Sequence, residues 1–113
     1  MATIFKNKIS PGVGTTPLTV VATDSTFRAT VIGFSLANLT TETLRINITV
    51  VDNSNPLLPV EAHYLKNVVL PANQSLRAVN GGEKLMIAPD NELRVSSDVD
   101  ASVDVIVSYV EIS

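Results

Sequence analysis

The sequence predicts an all-β protein that folds as a two-sheet antiparallel sandwich of eight or nine short strands. Val and Ile supply roughly a fifth of the 113 residues, and β-branched side chains suit a pleated sheet better than a helix. Apolar residues alternate with polar ones at a period of two, and turn-forming residues divide the chain at short intervals. Jelly-roll and immunoglobulin-like sandwiches fit this pattern equally well.

Two segments show the alternation most clearly. In residues 44–50 the even positions are Leu, Ile, Ile and Val, and the odd positions between them are Arg, Asn and Thr. In residues 103–109 the odd positions are Val, Val, Val and Tyr. Because successive side chains of a strand point to opposite faces, one face of each segment is expected in the core.

The N-terminal half contains four predicted strands. Pro11 and the glycines beside it are expected to end the first, because proline lacks the N–H donor and glycine permits turns. Residues 1–10 are expected to form an N-terminal strand or arm. The predicted turns are residues 10–14, 23–25 and 38–42, and the strands between them are 3–9, 17–22, 27–37 and 43–52.

Five further strands are predicted after an irregular loop bounded by Pro56 and Pro59. Asn80-Gly81-Gly82 is the strongest hairpin signal, because glycine reaches positive φ without steric cost. No internal repeat or linker interrupts the chain, so residues 1–113 are expected to form a single β-sandwich domain. The strands are predicted at 61–70, 75–79, 83–88, 92–97 and 102–112.

Composition excludes several function classes. A net charge of −3 and a pI near 4.9 argue against nucleic-acid binding, which needs clustered Lys and Arg. The absence of Cys excludes disulfides, thiolate chemistry and Cys-based zinc sites. Charged residues make up 17%, against about a quarter in an average soluble domain. Neutral surfaces cost less to desolvate, so this composition favours a subunit of a larger assembly.

No segment is typical of a targeting or membrane-spanning sequence. Lys6 and Lys8 interrupt any apolar region of a signal peptide. The uncharged stretch 29–41 is too short and too polar to span about 30 Å of hydrocarbon. We therefore expect a protein made in a cytoplasm, with no membrane partner.

No residue pattern is typical of a catalytic, cofactor-binding or metal site. His63 is the single histidine and lacks an accompanying Gly-x-Ser-x-Gly elbow, so a sheet-surface or interface position is expected. Asp98 and Asp100 do not begin an EF-hand loop, which needs Gly at position 6 and Glu at position 12, and are expected to form a turn. The chain is expected not to be an enzyme and to need no cofactor.

The last predicted strand supplies a candidate interface. The odd positions of 103–109 make the better core face, which leaves Ile106, Val110 and Ile112 on the other. A solvent-facing row would not usually hold three β-branched apolar residues. The row is expected either to contact another protein or to lie under a loop or the N-terminal segment. The candidate interface residues are Ile4, Phe5, Ile106, Val110 and Ile112.

Five segments between residues 27 and 112 follow one another in a characteristic order. They are a strand with an Asn-capped turn at 31–38, the segment 64–72, a hairpin at 81–85, the segment 90–95 and a terminal strand at 104–112. In this order the chain resembles the small β-sandwich virion proteins encoded by tailed bacteriophages, including phages of cyanobacteria. The shared residues shape strands and turns, so no functional site can be transferred.

This resemblance implies a structural protein of the virus particle, located in the virion after synthesis in the host cytoplasm. Such proteins decorate or cement the capsid, or lie at the neck or tail, as symmetric oligomers such as trimers or dimers. The implied partners are the major capsid protein or other virion proteins. We expect first a capsid decoration or cement protein, second a neck or tail component, and third a carbohydrate-binding module, since one sandwich supports many functions.

Overall fold

The computed structural model describes residues 2–79 and 84–113, and in these residues the chain forms nine β-strands. The all-β prediction is confirmed, and every strand pair is antiparallel. This described part contains no helix long and apolar enough to cross a membrane. The strands are β1 Thr3–Val13, β2 Leu18–Ala22, β3 Arg28–Asn38, β4 Leu44–Asp52, β5 Val60–Leu70, β6 Ser75–Val79, β7 Leu85–Ile87, β8 Asn91–Ser97 and β9 Val103–Ile112.

The strands form two sheets. Sheet A has the order β1-β9-β3-β6, and β7 also pairs with β3 beyond the end of β6. Sheet B has the order β2-β8-β4-β5. The first two strands lie in different sheets, whereas the first two strands of an immunoglobulin domain share one. This arrangement is a jelly roll, the first of the two sandwiches that the sequence left open.

The first strand is longer than predicted. It continues through Pro11 to Val13, because one extra residue on β1 forms a bulge between Ser10 and Val13 opposite β9. Gly12 adopts a φ of 63° in this bulge, a conformation that favours glycine. β1 lies at an edge of sheet A, where a proline without an N–H is tolerated. The predicted Asn80-Gly81-Gly82 hairpin lies outside the described residues.

The core lies between the two sheets. β9 contributes Val103, Val105 and Val107, all fully buried, which confirms the predicted core face of this strand. β4 contributes Ile46 and Ile48 from sheet B, also fully buried. Each such side chain stabilises the fold by about 1.5–3 kcal/mol relative to an exposed one. β9 alternates regularly from Val103 to Val107, so every other side chain of this strand lies on the outside of sheet A. In β4 the alternation breaks after Ile48, where the register shifts, so Val51 is buried and Val50, expected in the core, is only half-buried.

Candidate functional site

The outer face of sheet B is polar, and its side chains bond to one another. Arg94 in β8 donates to the carboxylate of Glu92 and lies 3.9 Å from Glu61 of β5. Glu92 also accepts hydrogen bonds from Thr19 Oγ1 at 2.8 Å and Asn53 Nδ2 at 2.9 Å. Together these contacts, that with Arg94 foremost, hold the pKa of Glu92 below its ordinary value. Exposed ion pairs add little stability, but they satisfy the polar groups of this face.

The outer face of sheet A is apolar instead. The strand register places Phe5 of β1 opposite Val110 of β9, and Ile9 opposite Ile106. Both pairs lie on the face opposite the buried valines of β9. Directly opposed apolar side chains on one sheet face contact each other. We call this surface the apolar face, and its residues are Phe5, Ile9, Ile32, Met86, Ile106, Val110 and Ile112.

Two rows of side chains cross this face from strand to strand. One row contains Phe5, Val110, Thr30 and Met86. The other contains Ile9, Ile106, Ser35 and Arg77. Thr30 and Ser35 therefore place neutral hydroxyls beside the apolar side chains, and Arg77 places a positive charge at the β6 edge. Between these rows the register places Asn7 opposite Ser108, so polar side chains also lie in the middle of the face.

The apolar face is exposed to a degree that a free surface seldom shows. Phe5 is 75% exposed, Ile9 63%, Met86 57% and Ile106 46%. Single exposed apolar side chains are common, whereas several of them on one sheet face are typical of an interaction surface. Since β1 and β9 run side by side, the segment around Ile4 and Phe5 lies beside the row on β9 and does not cover it.

The structure brings four of the five candidate interface residues together. Phe5, Ile106, Val110 and Ile112 all lie on the outer face of sheet A. Ile4 has the opposite parity, in register with Glu111, and therefore points away from that face. Sequence reasoning missed three members. Ile9 could have been found from its even spacing to Phe5 along one strand, but Ile32 and Met86 join the face only through strand pairing.

A shallow depression of about 310 Å³ opens on the same side of the molecule. It lies where β6 ends against Phe34 and β7 begins against Val31, so that neither of these short strands pairs with the part of β3 at Ile32 and Gly33. Gly33 adds no side chain to fill the space. The described residues that line the depression include Ile32, Gly33, Phe34, Arg77, Val79 and Ile106. Ser35 and Ser108 also line it, so the depression has polar as well as apolar walls, with one guanidinium at its border.

A second apolar feature extends from the end of sheet B. The loop between β4 and β5, residues 53–59, presents Leu57, 88% exposed, and Leu58, 71% exposed. Asn55 closes the turn, since its Oδ1 accepts from Leu57 N at 3.2 Å and its carbonyl from Leu58 N at 3.0 Å. We call this segment the leucine loop. The prolines at both sides of the leucine pair restrict its backbone further.

The titratable groups show a structural role. His63 is exposed in β5, in register with Thr49. Within residues 2–79 and 84–113, no group of three His, Asp or Glu side chains is arranged to hold a metal ion. Asp98 Oδ1 accepts from the Arg45 N–H at 3.0 Å, which connects the β8–β9 turn to the start of β4.

Asp100 makes the corresponding contact on the other side of that turn. Its Oδ1 accepts from Thr15 Oγ1 at 2.8 Å and from Thr15 N at 3.3 Å. These hydrogen bonds lower the pKa of Asp100 below its ordinary value. Both aspartates lie in the β8–β9 turn, where the sequence predicts a turn, and their carboxylates also bind neighbouring segments.

Solved structures share this fold at low sequence identity. A chain from Bacillus endospore appendages, described as a novel family of disulfide-linked pili, aligns with a TM-score of 0.54 and 10% identity over 98% of this chain and 88% of that one. A chain from the crystal structure of the T13 IBDV viral particle aligns with a TM-score of 0.56 and 10% identity over 96% of this chain. This chain spans only 30% of the viral-particle chain. At such identity the likeness shows the fold alone.

No protein-family model matches this sequence, and a search of curated proteins finds no match. The two structural neighbours come from a pilus and a virus particle, both of which are structural assemblies. The links named for the pilus are disulfides, which this chain cannot form because it has no cysteine. Disulfide links of the kind named for that pilus are therefore excluded for this chain.

Proposed function

We propose that this protein is a non-enzymatic structural component of a virus particle, and that it decorates or cements a bacteriophage capsid. The observation that supports this function is the apolar face. It contrasts with the outer face of sheet B, whose polar side chains are hydrogen-bonded to one another. A fold shared with a viral-particle chain and with a pilus chain agrees with a structural role. The phage assignment itself rests on the sequence resemblance.

The half of the apolar face on β1 and β9 is the proposed contact with the shell. Phe5 and Ile9 on the edge strand are its most exposed members. Covering a half-exposed aliphatic or aromatic side chain contributes on the order of 1 kcal/mol. Several such side chains on a rigid sheet lose little entropy on binding, so the face suits a flat partner such as the major capsid protein.

The experiment is reconstitution of the protein with capsids that lack it. The double variant Phe5→Asp with Ile9→Asp should reduce cosedimentation with capsids at least about tenfold, because an unpaired charge is costly to desolvate at a contact. The matched control is Ile4→Asp, which lies in the same strand on the opposite face and should bind as the wild type does. Equal binding by the double variant and the control would contradict the proposed shell contact.

Copy number in purified particles separates the related functions. Many copies per capsid support decoration, whereas a few copies at one vertex would assign the protein to the neck or tail. Saturable sugar binding in calorimetry, with no particle association, would instead identify a carbohydrate-binding module. The first outcome supports the decoration function, and each of the other two would contradict it.

A further inference from the structure

We propose that two copies of this chain pair through β1, so that sheet A continues across a two-fold axis into sheet A of a second copy. β1 is the terminal strand of sheet A, and β9 is its only strand partner among the described residues. The contact is made by main chain at the edge of the sheet. It therefore goes beyond the proposed shell contact, which is made by side chains on the outer face.

The free side of β1 presents main-chain groups that no described strand pairs. Ser113 N donates to the Ala2 carbonyl at 3.0 Å, so these two residues form a hydrogen-bonded pair at the end of the β1–β9 ladder. Such pairs alternate along an antiparallel ladder, so the main chain of every second residue of β1 points away from β9. These residues are Thr3, Phe5, Asn7 and Ile9. A row of N–H and C=O groups at this spacing is a template for another extended strand.

Among the described strands, β1 is the one sheet edge that is both long and regular. Its register with β9 is unbroken from Thr3 to Ser10. The edge strand β5 is equally long, but its register with β4 shifts twice and Asn67 adopts a φ of 51°. The other edge strands, β2, β6 and β7, have five residues or fewer. Short and bulged edges resist pairing, so the strand of a second copy that best matches β1 is β1 itself.

Charge and one proline select the register of this pair. Like charges directly opposite each other destabilise a sheet, and β1 carries Lys6 and Lys8. A two-fold axis centred on Lys6 or on Asn7 places lysines of the two copies opposite each other. Centring on Asn7 also brings Pro11, which has no N–H, into the ladder. An axis centred on Phe5 avoids both, and it keeps the bulge of β1 outside the paired segment.

The register centred on Phe5 also pairs compatible side chains. Ile4 is 49% exposed and Phe5 75%, so both faces of β1 are free to accept a neighbouring strand. On the outer face the two Phe5 rings are opposed, and aromatic cross-strand pairs are favourable. On the other face Ile4 lies opposite Lys6 of the second copy, whose aliphatic stem can pack against it. Lys6 is bound by Glu111 at 3.0 Å, which reduces the repulsion between the two copies.

The two-fold axis stands perpendicular to the sheet, because antiparallel pairing of identical strands requires that orientation. The contact is therefore isologous and closes at two copies. The outer faces of both A sheets then lie on the same side of the dimer. A flat partner would meet the apolar face twice, which increases the avidity of binding.

Pairs of single-cysteine variants test the register, because the chain has no cysteine of its own. An equimolar mixture of Ile4→Cys and Lys6→Cys should form a disulfide-linked heterodimer when oxidised with diamide, since facing Cα atoms of such a pair lie about 4.5 Å apart. Each variant alone is the matched control. Neither should cross-link to itself, because its two cysteines would lie on a diagonal about 7–8 Å apart.

Sedimentation velocity of the purified protein tests the dimer itself. Asn7→Pro removes an N–H from the free edge, where an edge strand tolerates proline. Its dimer should dissociate at least about tenfold more readily than that of the wild type, because each dimer loses two main-chain hydrogen bonds. The matched control Asn7→Ser keeps the N–H and should dimerise as the wild type does. Ile4→Lys, which sets a like charge opposite Lys6 of the second copy, should weaken the dimer even if Asn7→Pro fails to fold.

Three results would overturn this contact. They are a wild type that stays monomeric at millimolar concentration, an Ile4→Lys variant that dimerises as the wild type does, and cross-linking of either cysteine variant to itself in place of the mixture. These measurements contain no capsids, so they do not bear on the shell contact. Asn7→Pro keeps the side chains of Phe5 and Ile9 and should still cosediment with capsids, so failure of the dimer and failure of the shell contact are observed separately.

Discussion

The side-chain amide of Asn38 donates to the main-chain carbonyl of Leu70 at 3.1 Å, and so connects the end of β3 in sheet A to the end of β5 in sheet B. The same amide donates to the carbonyls of Glu42, at 2.8 Å, and Pro71, at 3.1 Å. Its Oδ1 accepts from Thr40 N at 2.8 Å. Asn38 is buried, and its two N–H hydrogens are shared among three carbonyls around the β3–β4 turn.

Asn38→Ala should therefore lower the free energy of unfolding by about 2–4 kcal/mol, because buried carbonyls lose their donors. Urea denaturation with an unchanged m-value would measure the loss. The control is Asn47→Ala, which removes an exposed amide whose Oδ1 accepts from Asn67 N at 3.0 Å, and which should cost about 1 kcal/mol or less. Equal losses would show that the buried contacts of Asn38 do not stabilise the sandwich.

Two glycines should respond oppositely to the same substitution. A Cβ at Gly14 would lie 3.0 Å from Asp100 Oδ1 and 3.1 Å from Ala101 N, so main chain would have to shift. Gly14→Ala should therefore destabilise by about 1–3 kcal/mol, the usual effect of overpacking.

Gly33→Ala meets only Ser108, at ordinary contact distance. It should be neutral or should stabilise by up to about 1 kcal/mol, since alanine has less freedom in the unfolded chain. Thermal unfolding of both variants beside the wild type makes the comparison. A reversed order of the two melting temperatures would contradict the packing described around Gly14.

Period-two patterning predicted strands such as β3, β8 and β9 because one side of each is buried. In β9 the buried valines at odd positions were evident from sequence, and so was the apolar row on the other side. What the sequence could not supply is pairing between distant segments. Ile9 lies beside Ile106 only because β1 and β9, at the two ends of the chain, are neighbours in sheet A.

Local signals also failed where a strand contains an irregularity. Pro11 and Gly12 were expected to end the first strand, yet a bulge lets it continue to Val13. The depression depends on a similar effect, since it forms where β6 and β7 divide one edge of β3 between them. No property of Ile32 or Gly33 alone indicates that gap.

Acid should destabilise the polar face of sheet B. The pKa of Glu92 is lowered in the folded protein, chiefly by the hydrogen bond from Arg94. Its stabilising contribution is therefore complete above the ordinary glutamate value of 4.5 and is lost as the pH falls through the lower folded value.

The melting temperature of Glu92→Gln should accordingly fall less steeply below about pH 4.5 than that of the wild type. Thr19→Val removes one of the lesser hydrogen bonds to Glu92 and should give an intermediate slope. Calorimetry from neutral pH to about pH 3 provides the measurement. An identical pH dependence for the wild type and Glu92→Gln would contradict this role of the ion pair.

The parity of β9 gives the sharpest test of which face is free. Ile106→Asp with Val110→Asp places two charges on the outer face of sheet A, where Ile106 is 46% exposed. This double variant should remain folded, with a loss of about 1–2 kcal/mol in the free energy of unfolding from reduced strand propensity and apolar contact.

The control, Val105→Asp with Val107→Asp, makes the same chemical change one position away, at fully buried sites. Unpaired buried charges cost several kcal/mol each, so this second variant should not fold. Far-UV circular dichroism during urea denaturation distinguishes the two, and unfolding of the Ile106 and Val110 variant would show that the apolar face belongs to the core and is not an interface.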